Sequence, residues 1–365
     1  MTQQDNEGIA APGPQASLRQ ALADCAGKLP AGDRPQFEAF SRLLFARLDA
    51  MRGITLNDES LAALAVSSFH LLENRKPGPA QISMGQIEVP SDAGGREGER
   101  RTLSVLTVIN DDKPFLVSSV MAEIQARGLR TFLVLHPVHS AMRDPANHLQ
   151  GLAPFAAPPA SGPNDEPGSS EREGQWRNES VIVVVMAPLD DAGARDLTHA
   201  LKGILDQVDA AVRDWRPMID RLDQAITALE EHSSGSSSGL VGETIAFCRW
   251  MRSGQFVFLG MREYRLDGDP QSGSLRVIEG SGLGVLANPD IHVLRRGRDL
   301  VSLTDEVRRF YLKPSPIIIT KSNVQSVVHR RAHMDYVGLK IYTADGNLSG
   351  ELRIVGLFTA TAYTE

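Results

Sequence analysis

Several groups of residues have the types and spacing that chemistry requires. Asn110-Asp111-Asp112 stands where the strand-like run R-T-L-S-V-L-T-V-I (101–109) meets a helix opened by Pro114. A helix N-terminus attracts a carboxylate, but two aspartates there repel one and suit an ammonium group instead. Asp and Asn are also preferred caps by themselves, so capping and ligand binding both stay open at this corner. His329, His333 and Asp335 suggest a metal or a proton shuttle, and on an extended segment the two histidines share one side. Zinc needs three or four convergent ligands, and only Asp335 lies near, so hydrogen-bonding histidines are the default reading. Ser326 beside His329 resembles a nucleophile and its base. No elbow turn, oxyanion glycine pair or third member accompanies it, and a hydrolase is kept only as a reading to test. Gly280-x-Gly282-x-Gly284 invites a dinucleotide, which needs a helix to open directly after the loop. Val285-Leu286-Ala287-Asn288-Pro289 denies it that helix, so a glycine turn is expected, with no cofactor bound here. Lys321, Ser322 and Arg330 are polar residues on an otherwise β stretch. They line a pocket or face another part of the protein, and the residues alone do not separate the two.

The elements that position these groups follow from periodicity and turn chemistry. Residues 1–16 read as a disordered leader. Two helices follow within 17–80 as a hairpin, the first from the spacing of Phe37, Phe40, Leu44 and Leu48, the second opened by Asn57-Asp58-Glu59. Ile82–Val89 and Arg101–Ile109 alternate as strands. A helix from Pro114 ends at Gly128, and Thr131–Leu135 is a strand. Residues 138–178, rich in Pro, Ala, Gly and Ser, read as a mobile insert. Ser180–Ala187 is a β-branched strand, followed by a helix over Asp191–Glu230 that is bent or broken near Trp215-Arg216-Pro217. Strand–helix–strand followed by strand–helix is a ferredoxin-like order lacking its last strand, a place that Ile82–Val89 can take. These boundaries give an α+β unit over 81–231. The Ser/Gly run of 232–239 is a linker. Residues 240–365 form a second, β-rich domain containing one main helix, whose order is compatible with an ACT- or PAS-like sheet. It stops directly after a strand, as a domain truncated at its end would.

Composition narrows the partners. With 365 residues the chain has room for two or three domains. A net charge of −7 argues against a general nucleic-acid surface. Short basic clusters at Arg295–Arg298, Arg308-Arg309 and Arg330-Arg331 read as solvated faces. The longest apolar run, Val181–Ala187, is far short of the roughly 20 residues a membrane helix needs. Cys25 and Cys248 make no disulfide scaffold, and neither sits in a metal-spaced pair, so a reducing cytoplasm is the expected setting.

One family shares this wording. T-K-S-N (320–323), H-R (329–330), M-D-Y-V-G-L-K (334–340) and G-E-L-R-I-V-G-L-F-T (350–359) resemble an ordered set of motifs in the amino-terminal region of the large bacterial NAD-specific glutamate dehydrogenases. N-D-D-K-P-F-L-V-S-S (110–119) and F-V-F-L-G-M-R-E-Y (256–264) add to the set. Ser118 stands where the family usually carries an acidic residue, and Met261 where it carries an aromatic. The resemblance covers roughly residues 34–363. It implies an ACT domain, the ferredoxin-like module that often senses amino acids, with Asn110, Asp111 and Asp112 as the effector corner. The usual glycine of ligand-binding ACT loops is not evident there. It further implies a non-catalytic regulatory and oligomerisation region of a homo-oligomeric enzyme. The family's reaction, L-glutamate to 2-oxoglutarate and ammonium with NAD, would then belong to downstream domains. A free-standing amino-acid-binding module is the alternative.

Overall fold

A computed structural model of the chain describes residues 16–48, 56–76, 78–90, 100–155, 176–233, 239–269, 273–293, 312–343 and 345–359. The leader before Ala16, insert residues 156–175, linker residues 234–238, the clusters at Arg295–Arg298 and Arg308-Arg309, and residues 360–365 lie outside these described residues. By packing, the chain divides into two units, residues 1–113 with 127–202, and residues 114–126 with 203–365.

The first unit sets three helices on a sheet, where the sequence suggested two. Helix α1 (Ala16–Lys28) escapes the periodicity reading because its buried stripe is narrow, with only Leu18, Leu22 and Ala26. Helix α2 (Arg34–Leu44) carries Pro35 in its first turn and buries Phe37, Phe40 and Leu44. Helix α3 (Asp58–Glu73) is capped by Asn57, whose side chain accepts from the Ser60 N–H at 3.0 Å. Phe37 meets Phe69 edge-on at 5.5 Å, and Phe40 lies 6.0 Å from the same ring. Burying each such ring contributes roughly 2–3 kcal/mol.

Six antiparallel strands make the sheet: β1 (Gln81–Pro90), β2 (Arg100–Asp111), β3 (Thr131–Leu135), β4 (Val138–Arg143), β5 (Leu149–Pro154) and β6 (Trp176–Met186). Their order is β1-β2-β6-β4-β5, with β3 also on β6. The strand preceding β2 in sequence therefore occupies the outer position that a ferredoxin-like fold gives to its last strand. Val105, Ile109, Val181, Val183 and Val185 pack with Leu64, Phe69 and Leu72 of α3 in one core.

The expectation of a loop over 138–178 fails at its start. Val138–Arg143 and Leu149–Pro154 are the hairpin β4–β5, and β4 pairs with β6 from Val138↔Ser180 to Met142↔Trp176. The turn is set by Asn147 at φ 71 and by Asp144, whose side chain accepts from the His148 N–H at 2.8 Å. V-H-S-A-M-R and L-Q-G-L-A-P have weak β preference, and the pairing with β6 overrides it.

In the second unit, helix α4 (Leu116–Ala126) opens two residues later than Pro114 suggested, because Phe115 takes a left-handed φ of 72. Helix α5 (Asp191–Arg213) crosses the division, and α6 (Trp215–Ser233) restarts after Asp214, at the break expected near Trp215. Helix α7 (Gly239–Trp250) leads through a π-helical turn into the second sheet. Its strands are β7 (Phe256–Asp267), β8 (Ser274–Val277), β9 (Leu283–Gly284), β10 (Ile317–Gln325), β11 (His333–Tyr342) and β12 (Leu348–Phe358). They are antiparallel in the order β10-β11-β12-β7-β8, with β9 on β7. Met218 and Leu222 of α6 and Ile245 and Cys248 of α7 pack on Phe258, Val337, Leu339, Leu352 and Ile354. The fold is α+β, an ACT-like unit followed by a second antiparallel sheet.

Candidate functional site

The corner residues part company. Asn110 is buried in β2, and its side-chain oxygen accepts from the Asp111 N–H at 2.8 Å. Asp111 pairs with Arg75 at 2.6 Å. The Asp112 N–H donates to the Asn178 carbonyl at 2.9 Å, which leaves its exposed side chain for the cleft described below. Asn110 and Asp111 belong to the strand, and α4 begins only at Leu116.

Behind the corner lies a buried charge network that the sequence reading missed. In register, Glu179 of β6 sits opposite Asp111 of β2 on one side and His139 of β4 on the other, so the three side chains share a face. Arg75, just past the end of α3, reaches both Asp111 and Glu179, each at 2.6 Å. Arg143 grips Glu179 with two bonds of 2.8 and 3.0 Å and gives a third to the Leu72 carbonyl at 2.8 Å. Burial alone would raise the Glu179 pKa, but bonding by Arg143 and the charges of Arg75 and Arg143 outweigh it and lower it. His139 is fully buried, and among the described residues neither ring nitrogen has a hydrogen-bond partner. Burial pushes its pKa down to about 4, only partly opposed by Glu179 at 3.9 Å. The imidazole is therefore neutral near pH 7. A charged residue two positions before a β-branched run, as Glu179 and then Ser180 precede V-I-V-V-V, was the available signal.

Beside the network a cleft of about 560 Å³ opens within the first unit. Leu44 and Arg47 border it from the end of α2 and the turn after it, Asp112 follows β2, His136 joins β3 to β4, and Phe155 follows β5. His136 Nε2 lies 2.8 Å from the Ser180 hydroxyl. Burial lowers the His136 pKa, Asp112 opposes this and Arg47 adds to it. The cleft thus presents one cation, one anion and one imidazole against a largely apolar lining.

The other sequence candidates serve the second sheet. Lys321 pairs with Asp335 at 2.5 Å. The Ser322 hydroxyl accepts from the Val324 N–H at 3.0 Å, and the Ser322 carbonyl takes a bond from His333 Nδ1, also at 3.0 Å, so that nitrogen carries the proton. Arg330 donates to the Phe358 carbonyl at 2.7 Å. His329 is not on a strand beside His333. It sits in a turn at φ 68 and faces Phe115. The Ser326 hydroxyl donates to the Val328 carbonyl at 2.8 Å, not to His329. Among the described residues, no three His, Cys, Asp or Glu side chains gather as a metal site.

Gly280–Gly284 runs into a three-residue 3₁₀ turn, Val285–Ala287, not a helix. A Cβ on Gly282 would meet the Leu286 carbonyl at 2.4 Å, and one on Gly284 the Leu259 carbonyl at 2.2 Å. These glycines let the turn lie against itself and against β7, and the segment does not fit a dinucleotide. Among the described residues no helix is long and apolar enough to cross a membrane.

Comparison with known proteins adds a family to this geometry. The family described as "Glutamate dehydrogenase, ACT1 domain" matches residues 40–201. The NAD-specific glutamate dehydrogenase of Halomonas elongata is 26% identical over 352 residues, covering 95% of this chain. That of Pseudomonas aeruginosa is 26% identical over 356 residues, covering 96%. The chain spans 20% of the length of each of these relatives. Residues 40–201 are therefore similar to the ACT1 domain of glutamate dehydrogenases, and almost the whole chain is similar to part of the NAD-specific enzymes of that name.

Proposed function

We propose that the chain is the regulatory and oligomerisation N-terminal region of an NAD-specific glutamate dehydrogenase, acting in the cytoplasm. Oxidative deamination of L-glutamate to 2-oxoglutarate and ammonium, with NAD, is assigned to other domains of that enzyme. The similarity over almost the whole of this chain supports the reading. Lys321 and Arg330, exposed on the β10–β12 side of the second sheet, are proposed to face those domains or a neighbouring subunit of a homo-oligomer, whereas Ser322 is buried and shapes the strand beneath them.

The observation that carries the regulatory part is the cleft at Asp112. An exposed arginine and an exposed aspartate beside a largely apolar lining match the two charges of a small amino acid. Arg47 would take its carboxylate and Asp112 its ammonium group. Asn110 and Asp111 shape the corner, while Asp112 makes the contact. Occupancy can regulate only by favouring one conformation over another.

Thermal unfolding of the chain against a panel of amino acids, 2-oxoglutarate and NAD tests this. A ligand at ~100 times its dissociation constant adds about 2.7 kcal/mol to stability, which moves the midpoint by several degrees. The expected result is a shift with one amino acid that Asp112→Asn abolishes. A shift indifferent to Asp112→Asn removes the cleft assignment. A shift with NAD overturns the non-catalytic reading, and no shift at all leaves a scaffold without a sensor.

A further inference from the structure

A second cleft of about 470 Å³ lies between α1 and α2, shares no lining residue with the Asp112 cleft and is independent of the regulatory reading. Arg19, Leu22 and Ala23 line it from α1, and Phe37, Glu38, Ser41 and Arg42 from α2. The short connection of residues 29–33 reverses the chain, so the start of α1 lies beside the end of α2. Arg19 and Arg42 thereby fall at one end, while Leu22, Ala23 and Phe37 extend toward the other.

Two further observations mark this as more than a seam between helices. The Ser41 hydroxyl is buried, with the residue 3% exposed, and has no hydrogen-bond partner among the described residues. A helical serine normally bonds back to the carbonyl four residues earlier, so an unpartnered hydroxyl in the lining is a group without its complement. Arg42 gives only its Nε–H to the Glu38 carbonyl, at 3.2 Å, and no ion pair among the described residues engages Arg19. The two guanidinium groups stand in water at the cleft's end, and with Glu38 the lining carries one net positive charge.

We propose that this cleft binds an anionic amphiphile, a carboxylate bearing an unbranched aliphatic chain. The carboxylate lies between Arg19 and Arg42, whose planar forks match it. The Ser41 hydroxyl donates to the same head group, and the chain runs over Leu22, Ala23 and Phe37. The volume is within the roughly 300–1,000 Å³ range of small-molecule sites. Glu38 sets the sign of selection, because it repels a second negative charge along the tail.

Isothermal titration of the full chain with decanoate, decan-1-ol and decyltrimethylammonium, each below its micelle concentration, decides the matter. Saturable single-site binding of decanoate alone is expected. The double variant Arg19→Gln/Arg42→Gln should weaken it at least ~10-fold, as loss of charge-assisted bonds predicts. Ala23→Phe should abolish it by filling the cleft. All three altered positions are exposed, so unchanged unfolding midpoints should accompany these losses. Equal binding of the alcohol, undiminished binding in Ala23→Phe, or no saturable heat with decanoate would each overturn the site.

Discussion

Phe115 and His329 both hold left-handed backbone, at φ 72 and 68, with ring centroids 5.2 Å apart. Each such conformation in a non-glycine residue costs about 1–2 kcal/mol, so neighbouring contacts must hold the pair in place. The His329 N–H donates to the Ser119 hydroxyl at 2.8 Å, its Nδ1 lies 3.3 Å from the Ser118 hydroxyl, and Arg331 pairs with Glu123. Two segments singled out by their wording, 110–119 and 329–340, thus meet at the first turn of α4 in the second unit. The rings could stack without strain only if the backbones left the paths that the two serines fix.

Ser119→Ala removes the acceptor of the His329 amide while leaving the ring contact intact. A loss of about 1 kcal/mol is expected, together with faster hydrogen exchange at the His329 amide. Exchange unchanged from the parent would mean that this bond does not hold the turn.

His139 makes stability depend on pH. Its folded value, about 4, lies below the ordinary 6.5, so in that interval the unfolded chain binds a proton that the folded chain does not. This contribution is complete above pH 6.5 and is lost as pH falls toward 4, amounting to about 3 kcal/mol. His139→Leu should flatten the acid limb of a stability–pH profile between those values. A parallel profile in the variant would place the titration elsewhere.

Glu179 binds two arginines in a buried setting. Glu179→Gln leaves Arg75 and Arg143 with one remaining carboxylate, Asp111, and should cost about 3–5 kcal/mol, since stripping a partner from a buried ion pair strands a charge. Denaturant unfolding measures it. A loss under ~1 kcal/mol, the scale of exposed pairs, would mean that water reaches the network.

The glycine turn separates two causes of glycine's requirement. Gly280 has φ 75 but open space where a Cβ would stand, whereas Gly284 has φ 59 and the Leu259 carbonyl in the way. Gly280→Ala should cost about 1 kcal/mol from backbone conformation alone. Gly284→Ala should cost clearly more, and chemical denaturation of the two variants ranks them. Equal losses would show that the backbone at Gly284 gives way freely.

Legibility in the sequence followed the strength of local pattern. β2, β6, β7, β11 and β12 carry β-branched and aromatic runs that read as strands at once, and Asn57 announces α3. The β4–β5 hairpin was illegible because its pairing partner, β6, lies across an insertion and its own residues prefer no structure. At the corner, Asp112 is an exposed acid that sequence can name. The pairing of Asp111 with Arg75 joins residues 36 apart, and no spacing rule reaches that far. His136 and Arg47 look like ordinary surface residues until the turn after α2 and the β3–β4 link meet.

The placement of β1 also affects how the sheet can be assembled. Pro90 stands opposite Arg100, and the pairing runs back to Gln81 opposite Ile109. The outer strand thus joins its neighbour as a hairpin closed over residues 91–99. In the usual ferredoxin-like connectivity that strand would follow α5, and its partner would wait for roughly a hundred residues of intervening chain. A short closure costs little entropy and forms early. On a ribosome, β1 and β2 can therefore pair before the segment that builds α5 has been synthesised.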